Sequence, residues 1–237
     1  MDTPKVNFKY NLKKDAWSWV LIAKDKNLWG LNWKDQVAHI PEGLLKEILK
    51  SSRSGAQKKV ERFLRAQPIR KYKQMVREKE TEAIKAIWSG VEKTFFKKLS
   101  LLTQKPIFTN KFDCYFTTGL MCPYNEKENW FMVSMWASIP ISITIICHEI
   151  MHLQFLHDYK KYLIKKGLKK EQIEDLKEAM TILLNGKEFE EIILCDDSGY
   201  PKHQKLRKKL QKIWAREKDF QKFLDEAILE VKNIGKC

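Results

Sequence analysis

Two histidines and a glutamate lie close together at residues 148–152, which read His-Glu-Ile-Met-His. On a helix, residues four apart lie one turn above each other, so His148 and His152 can both present an imidazole nitrogen to one metal ion. These ligands at this spacing are typical of zinc, and Glu149 between them can take a proton from a water molecule that the metal activates. The segment therefore predicts a zinc-dependent hydrolytic centre with Glu149 as the general base.

A catalytic zinc ion needs a third protein ligand beside the two histidines. Glu178 is the stronger candidate, because it is the only acid in residues 176–185, a segment that is apolar on most sides. A buried carboxylate without a partner is unfavourable by several kcal/mol, so a metal would explain its position. The alternative is a solvent-exposed Glu178, since helical angles turn it away from the main apolar stripe of its segment. His157 is disfavoured because it lies five residues beyond His152, on another side of a continuous helix.

The hydrophobic pattern predicts the elements that position these residues. Residues 142–166 contain no Gly or Pro and have an apolar side, which predicts one continuous helix around the His-Glu-Ile-Met-His segment. Residues 112–118 and 130–136 are rich in aromatic and β-branched side chains and predict two strands, which form a hairpin or a two-strand sheet. Further helices are predicted after Pro68 and at residues 170–185, 202–218 and 219–233.

The metal-site residues resemble those of a known group of enzymes. The His-Glu-Ile-Met-His segment, followed by Glu178-Ala179-Met180-Thr181 on the next helix, is similar to the gluzincin clan of metallopeptidases, which have a thermolysin-like architecture. The similarity covers residues 112–185. It implies that His148, His152 and Glu178 bind zinc while Glu149 serves as the base in peptide hydrolysis.

The resemblance is incomplete at the residue that orients a metal-binding histidine. The family has an Asp four residues after the zinc-binding Glu, whereas Ile182 stands at that position in this chain. The residue that supports the histidine therefore stays open, with Asp175 and Asn185 as candidates.

The resemblance also implies residues that hold the substrate and stabilise the oxyanion. Residues 130–136 match the strand that lies antiparallel to bound substrate, and the candidates for strand addition are Trp130, Met132 and Ser134. The oxyanion would be stabilised by Tyr200 or His203, which lie in a turn-rich loop. Other tyrosines remain alternatives for this role: Tyr115, Tyr124 and Tyr162.

These patterns together predict a predominantly helical α+β fold. We expect a zincin-like core with a small antiparallel sheet beside the metal-binding helix. A single zincin-like domain is expected to span residues 1–237, since this length and a hydrophobic fraction of 43% are sufficient for one core. Within it, residues 1–105 are predicted to form a mostly helical N-terminal layer, residues 106–185 the catalytic core, and residues 186–237 the C-terminal helices.

The formal net charge of +15 raises the question of an acidic partner. Basic residues mostly alternate with acidic ones, which is typical of solvated helix faces, so a peptide or protein substrate is favoured over nucleic acid. The alternative is a nucleic-acid-associated protein, with a regulatory zincin core or with protease activity on DNA-bound proteins. The densest basic cluster comprises Lys202, Lys205, Arg207, Lys208, Lys209 and Lys212.

The sequence also predicts a location in the cytoplasm. Its five cysteines include no CxxC pair, which argues against a disulfide framework and against a zinc ribbon. The first ten residues lack an apolar run, and Pro140 interrupts the longest apolar stretch. We therefore expect no membrane partner, while the sequence leaves the oligomeric state open.

Overall fold

The structure, a computed structural model, describes residues 3–26, 29–66 and 70–234. Most of these residues are helical, as predicted. The strands are β1 (Lys5–Tyr10), β2 (Lys111–Thr117), β3 (Tyr124–Asn125) and β4 (Trp130–Ser134). The α-helices are α1 (Leu12–Lys24), α2 (Trp33–Val37), α3 (Glu42–Lys50), α4 (Arg53–Ala66), α5 (Arg70–Thr103), α6 (Ile139–Lys165), α7 (Lys170–Met180), α8 (Gln204–Arg216) and α9 (Phe220–Ile234).

The chain divides into two compact units. The sheet unit comprises Val6–Gly90 and Lys111–Ser142, and it contains all strand residues except the first residue of β1. The helical unit comprises Met1–Lys5, Val91–Asn110 and Ile143–Cys237, and it contains α7, α8, α9 and most of α6. The predicted single domain, with segments 1–105, 106–185 and 186–237, is not tested by this grouping and stays a prediction.

The sheet has the strand order β1-β2-β4-β3. The two predicted strands are present as β2 and β4, but they run parallel, with Asp113 opposite Trp130 and Thr117 opposite Ser134. The short strand β3 pairs with β4 in antiparallel fashion, so the sheet is mixed. The prediction of a small antiparallel sheet is therefore wrong, because β2 and β4 are parallel. The physical reason is the long connection between β2 and β4, which can return the chain to the other end of the sheet, as a parallel pair requires.

Asp15, a buried carboxylate in α1, joins that helix to the end of β2. It accepts hydrogen bonds from the Tyr10 hydroxyl at 3.0 Å, the Thr117 hydroxyl at 2.9 Å and the Thr118 backbone N–H at 2.8 Å. The Thr118 hydroxyl donates to the same carboxylate at 2.9 Å. Four donor groups therefore depend on one side chain in the interior of the sheet unit.

Replacing Asp15 with alanine is expected to lower the free energy of unfolding by about 3 kcal/mol, because buried donors lose their acceptor. Chemical denaturation followed by tryptophan fluorescence measures this change. Asp35→Ala is the control, since Asp35 is an exposed carboxylate on α2 and its loss is expected to change the stability by less than about 0.5 kcal/mol. Equal stability of the two variants would contradict the bonding role of Asp15.

Helix α6 carries the His-Glu-Ile-Met-His segment and ends at Lys165, shortly before Gly167. Gly167 has a φ of +83°, in the left-handed region that favours glycine. The Gly167 N–H donates to the Ile164 carbonyl, and the Leu168 N–H donates to the Leu163 carbonyl. This pair of bonds is a common C-terminal motif that satisfies the last carbonyl groups of a helix.

Two observations relate to the predicted location in the cytoplasm. By length and composition α6 is able to cross a membrane, but 72% of its apolar window is buried within the fold, as in a core helix. Cys114, Cys122, Cys147 and Cys195 are free thiols, and Cys237 lies outside the described residues. The cytoplasmic location stays a prediction.

Candidate metal centre

Two histidines of α6 and one glutamate of α7 converge in the helical unit. Oε2 of Glu178 lies 3.2 Å from Nε2 of His152 and 3.5 Å from Nε2 of His148. The ligand atoms of the three residues all lie within 4.8 Å of one another. His157 has other contacts, because its exposed ring stacks on Phe108 with the centroids 4.3 Å apart. Glu178, the predicted third ligand, is therefore the residue that joins the two histidines.

The two nitrogen–oxygen separations fit ligands of a single tetrahedral metal ion. Ligand atoms bound at about 2.0 to 2.2 Å, with a tetrahedral angle between them, lie about 3.4 Å apart. The observed nitrogen–oxygen distances of 3.2 and 3.5 Å lie on either side of this value. Two imidazole nitrogens and a carboxylate oxygen also form a donor set that metal ions accept, so the group can hold a metal ion.

Asp197 contacts His148 on the other side of its ring. Oδ1 of Asp197 lies 3.2 Å from Nδ1 of His148, while Nε2 of the same ring faces Glu178. A carboxylate on the second ring nitrogen fixes the tautomer and the direction of a metal-binding histidine. Asp197 is therefore the orienting residue that the sequence analysis missed.

The two candidates considered for this role have other partners. The Asn185 side chain accepts a bond from the Asp197 N–H at 2.8 Å and donates to the Asp197 carbonyl at 3.1 Å, so it holds the main chain of that residue. Oδ1 of Asp175 lies 2.9 Å from Nε2 of His203 and 2.7 Å from Nζ of Lys202. The carboxylate that contacts Nδ1 of His148 therefore belongs to Asp197 and not to either candidate. The sequence signal for Asp197 is weak, because a turn-rich loop does not indicate which helix it contacts.

Lys177 determines which oxygen of Glu178 faces the histidines. The Lys177 side chain is 1% exposed, and its Nζ lies 2.8 Å from Oε1 of Glu178 and 3.0 Å from Oε2 of Glu174. A buried ammonium group needs such partners. Because Oε1 of Glu178 pairs with Lys177, Oε2 is the oxygen directed at the two histidines.

Glu149 is a buried carboxylate next to the ligand group. Its Oε2 has no hydrogen-bond partner among the residues that the structure describes. Burial raises the pKa of Glu149 to about 8; the charge of His148 opposes this rise, and that of Glu178 adds to it. In its ionised form, a carboxylate with a raised pKa is a stronger proton acceptor, so ionised Glu149 can receive a proton from a polar reactant.

Burial and neighbouring charges also shift the pKa values of the three residues in the ligand group. Burial lowers the pKa of His152 to about 3, which favours the neutral ring that a metal requires. Burial opposes ionisation of Glu178, but His152 and Lys177 hold its pKa well below the ordinary value. Burial would also lower the pKa of His148, yet Asp197 raises it well above the ordinary value. Metal binding at His148 would therefore displace a proton.

Tyr200 and His203, the predicted oxyanion-stabilising residues, lie together just before α8. Their ring centroids are 6.1 Å apart. His203 is buried with Nε2 facing Asp175, while Tyr200 is half-buried. Burial lowers the pKa of His203, whereas Asp175 and Glu178 act to raise it. The charge of Glu178 thus acts on His203, but the oxyanion role of either residue stays a prediction.

Trp130, Met132 and Ser134, the predicted substrate-binding residues, are buried in β4 of the sheet unit. One edge of β4 pairs with β2, and the other edge pairs with β3 at Trp130 and Phe131. Strand addition needs an unpaired edge, which these pairings restrict at the start of β4. The contact with substrate is not tested by these positions and stays a prediction.

Only some side chains of the basic cluster at residues 202–212 are both exposed and unpaired with an acid within the part of the chain that the structure describes. Arg207 is buried, Lys202 pairs with Asp175, and Lys209 pairs with Glu230. No contact among the described residues favours the nucleic-acid alternative, which stays untested. The exposed members of the cluster are Lys202, Lys205, Lys208 and Lys212.

No protein family, curated protein or solved structure matches the chain. The resemblance to gluzincins therefore depends on the residues of the metal centre alone. A zincin-like core stays a prediction.

Replacing Glu178 with glutamine is expected to weaken zinc binding by at least about 100-fold, since the loss of an outer partner alone has an effect of about 10- to 100-fold. Competition with a chromophoric chelator measures this affinity. Glu174→Gln is the matched control, because Glu174 also contacts Lys177 but is not a member of the ligand group. If both variants bind zinc as the wild type does, Glu178 is not a ligand.

Proposed function

We propose that the chain is a zinc-dependent metallopeptidase, which hydrolyses peptide bonds with Glu149 as the general base. The observation that carries this proposal is the buried Oε2 of Glu149, without a partner among the described residues, adjacent to the group of His148, His152 and Glu178. A ligand group alone is equally consistent with a structural metal. A buried acid with an available oxygen beside that group favours hydrolysis.

The donor set favours zinc over magnesium and calcium. Two imidazole nitrogens and one carboxylate oxygen are typical of catalytic zinc, whereas magnesium and calcium prefer sites made only of oxygen. When bound, zinc would supply Lewis acidity, which polarises a carbonyl group and lowers the pKa of a water molecule.

The side chains around the donor set divide the remaining work. Glu149 takes a proton from the attacking water at Oε2 and later gives it to the amine nitrogen of the departing peptide. Asp197 keeps Nε2 of His148 directed at the ligand group. Lys177 keeps Oε2 of Glu178 turned toward the histidines. These contacts reduce the freedom of the ligands before any metal or substrate binds.

The finer assignments follow from the resemblance to gluzincins. By that resemblance, Tyr200 or His203 would stabilise the oxyanion. His203 has the more defined position of the two, because its ring is buried and Asp175 holds one of its nitrogens.

Peptide hydrolysis in ¹⁸O-labelled water tests the proposed activity. Zinc-loaded protein is incubated with a mixture of unstructured peptides, and mass spectrometry measures the products. We expect one labelled oxygen at each new carboxyl end, and at least about 100-fold slower product formation by the Glu149→Gln variant purified in parallel. Absence of cleavage by the zinc-loaded wild type, or equal cleavage by the variant, would remove the peptidase proposal.

A further inference from the structure

Arg207 is a buried arginine that contacts both the Asp197 loop and the helix of Glu178. Its side chain is 2% exposed. One terminal nitrogen lies 3.2 Å from Oδ2 of Asp197 and donates to the Thr181 hydroxyl at 2.7 Å and the Glu178 carbonyl at 3.3 Å. The other terminal nitrogen donates to the Asp197 carbonyl. A single guanidinium group therefore links the residue that orients His148 to the backbone of a predicted ligand.

Gly199 supports the same arrangement independently. Its φ is +60°, a backbone conformation that residues other than glycine rarely adopt. A Cβ atom at Gly199 would also lie 2.7 Å from the Cζ atom of Arg207, which is closer than van der Waals contact allows. A side chain at position 199 would therefore require the guanidinium group of Arg207 to shift.

A planar guanidinium is suited to this position. It offers several N–H donors in a fixed plane, so one group can bond the Asp197 carboxylate, the Asp197 carbonyl and the Thr181 hydroxyl together. A lysine at position 207 would keep the charge but would present a single ammonium group. Burial of the charge is offset because Asp197 is an acid that is itself buried.

We infer that Arg207 is a positioning residue of the metal centre, which strengthens metal binding by holding Asp197 against His148. Through its bond to the Glu178 carbonyl it also keeps the end of α7 in register with that loop. The inference rests on the metal-binding part of the proposed function and not on peptide hydrolysis. It also gives a structural role to Arg207, a member of the basic cluster at residues 202–212.

Zinc affinity of single variants provides the first test, by competition with a chromophoric chelator. We expect Arg207→Met to weaken zinc binding by about 10- to 100-fold, as the loss of an outer partner does. Arg207→Lys should restore part of this loss. Gly199→Ala should also weaken binding, because it displaces the guanidinium group without removing its charge. Lys208→Met, an exposed neighbour on α8, should bind zinc as the wild type does.

A double-mutant cycle separates positioning from general support of the fold. If Arg207 acts through Asp197, Arg207→Met should cause little further loss of zinc affinity in an Asp197→Ala background. Additive losses would overturn the inference. Histidine ring ¹⁵N NMR of the metal-free protein adds a second readout, since the proton on Nδ1 of His148 should be protected in the wild type and lose that protection in Arg207→Met. Unchanged protection in a folded Arg207→Met variant would also overturn it.

The outcomes distinguish this inference from the peptidase proposal. A wild type that binds zinc but cleaves no peptide would remove the peptidase proposal and leave the role of Arg207 in place. An Arg207→Met variant that binds zinc as tightly as the wild type would overturn the role of Arg207 and leave the peptidase proposal in place. A wild type that binds no zinc would overturn both, so its titration is done first.

Discussion

The Glu149→Gln variant is expected to keep its zinc and to lose about 10²- to 10⁴-fold in kcat, the range that a general base contributes. Glutamine has nearly the same shape as glutamate, so the ligands His148 and His152 keep their positions. Its neutral amide group, however, cannot accept a proton from water as the carboxylate does. Zinc content by mass spectrometry and steady-state peptide cleavage measure the two halves of this prediction.

The matched control for this change is Glu190→Gln, an exposed glutamate of the same unit. It should retain both zinc and activity. A Glu149→Gln variant that loses its zinc would mean that Glu149 is a ligand instead of a base. A variant with wild-type activity would mean that the proton is transferred by another group.

The double variant His148→Ala, His152→Ala is expected to lose the metal altogether, from about one equivalent per chain to almost none. Both nitrogen ligands are then missing, and a single carboxylate does not retain zinc against a chelator. Elemental analysis of protein purified in parallel measures the zinc-to-protein ratio. Activity should be lost together with the metal.

His157→Ala is the control for the double variant, because His157 lies on the same helix but is exposed and stacks on Phe108. It should retain about one equivalent of zinc. If the double variant keeps its zinc, the metal binds elsewhere in the chain and the ligand assignment is wrong.

The features that could be predicted from the sequence are those set by local pattern. The spacing of His148 and His152 requires a helix, and a long segment without Gly or Pro predicts that helix up to Gly167. Glu178 could be proposed because a single acid in an apolar segment needs a partner. In each case neighbouring residues along the chain carry the information.

The features that could not be predicted depend on contacts between distant segments. The parallel pairing of β2 and β4 is set by the path of the connection between them, and strand composition does not determine it. Asp197 and Arg207 reach the ligand group from a loop and from a helix whose composition indicates only a surface turn and a basic face. The buried position of Lys177 was missed for the same reason, since its partners are the acids that the fold places around it.

Anomalous X-ray scattering from a crystal of the wild-type protein grown with zinc tests the ligand group most directly. Data collected on both sides of the zinc absorption edge locate the metal without reference to any assumed ligand. We predict one strong peak per chain, at about 2.0 to 2.2 Å from Nε2 of His148, Nε2 of His152 and Oε2 of Glu178. No peak at this position, or a peak bound by other residues, would contradict the assignment of the metal centre.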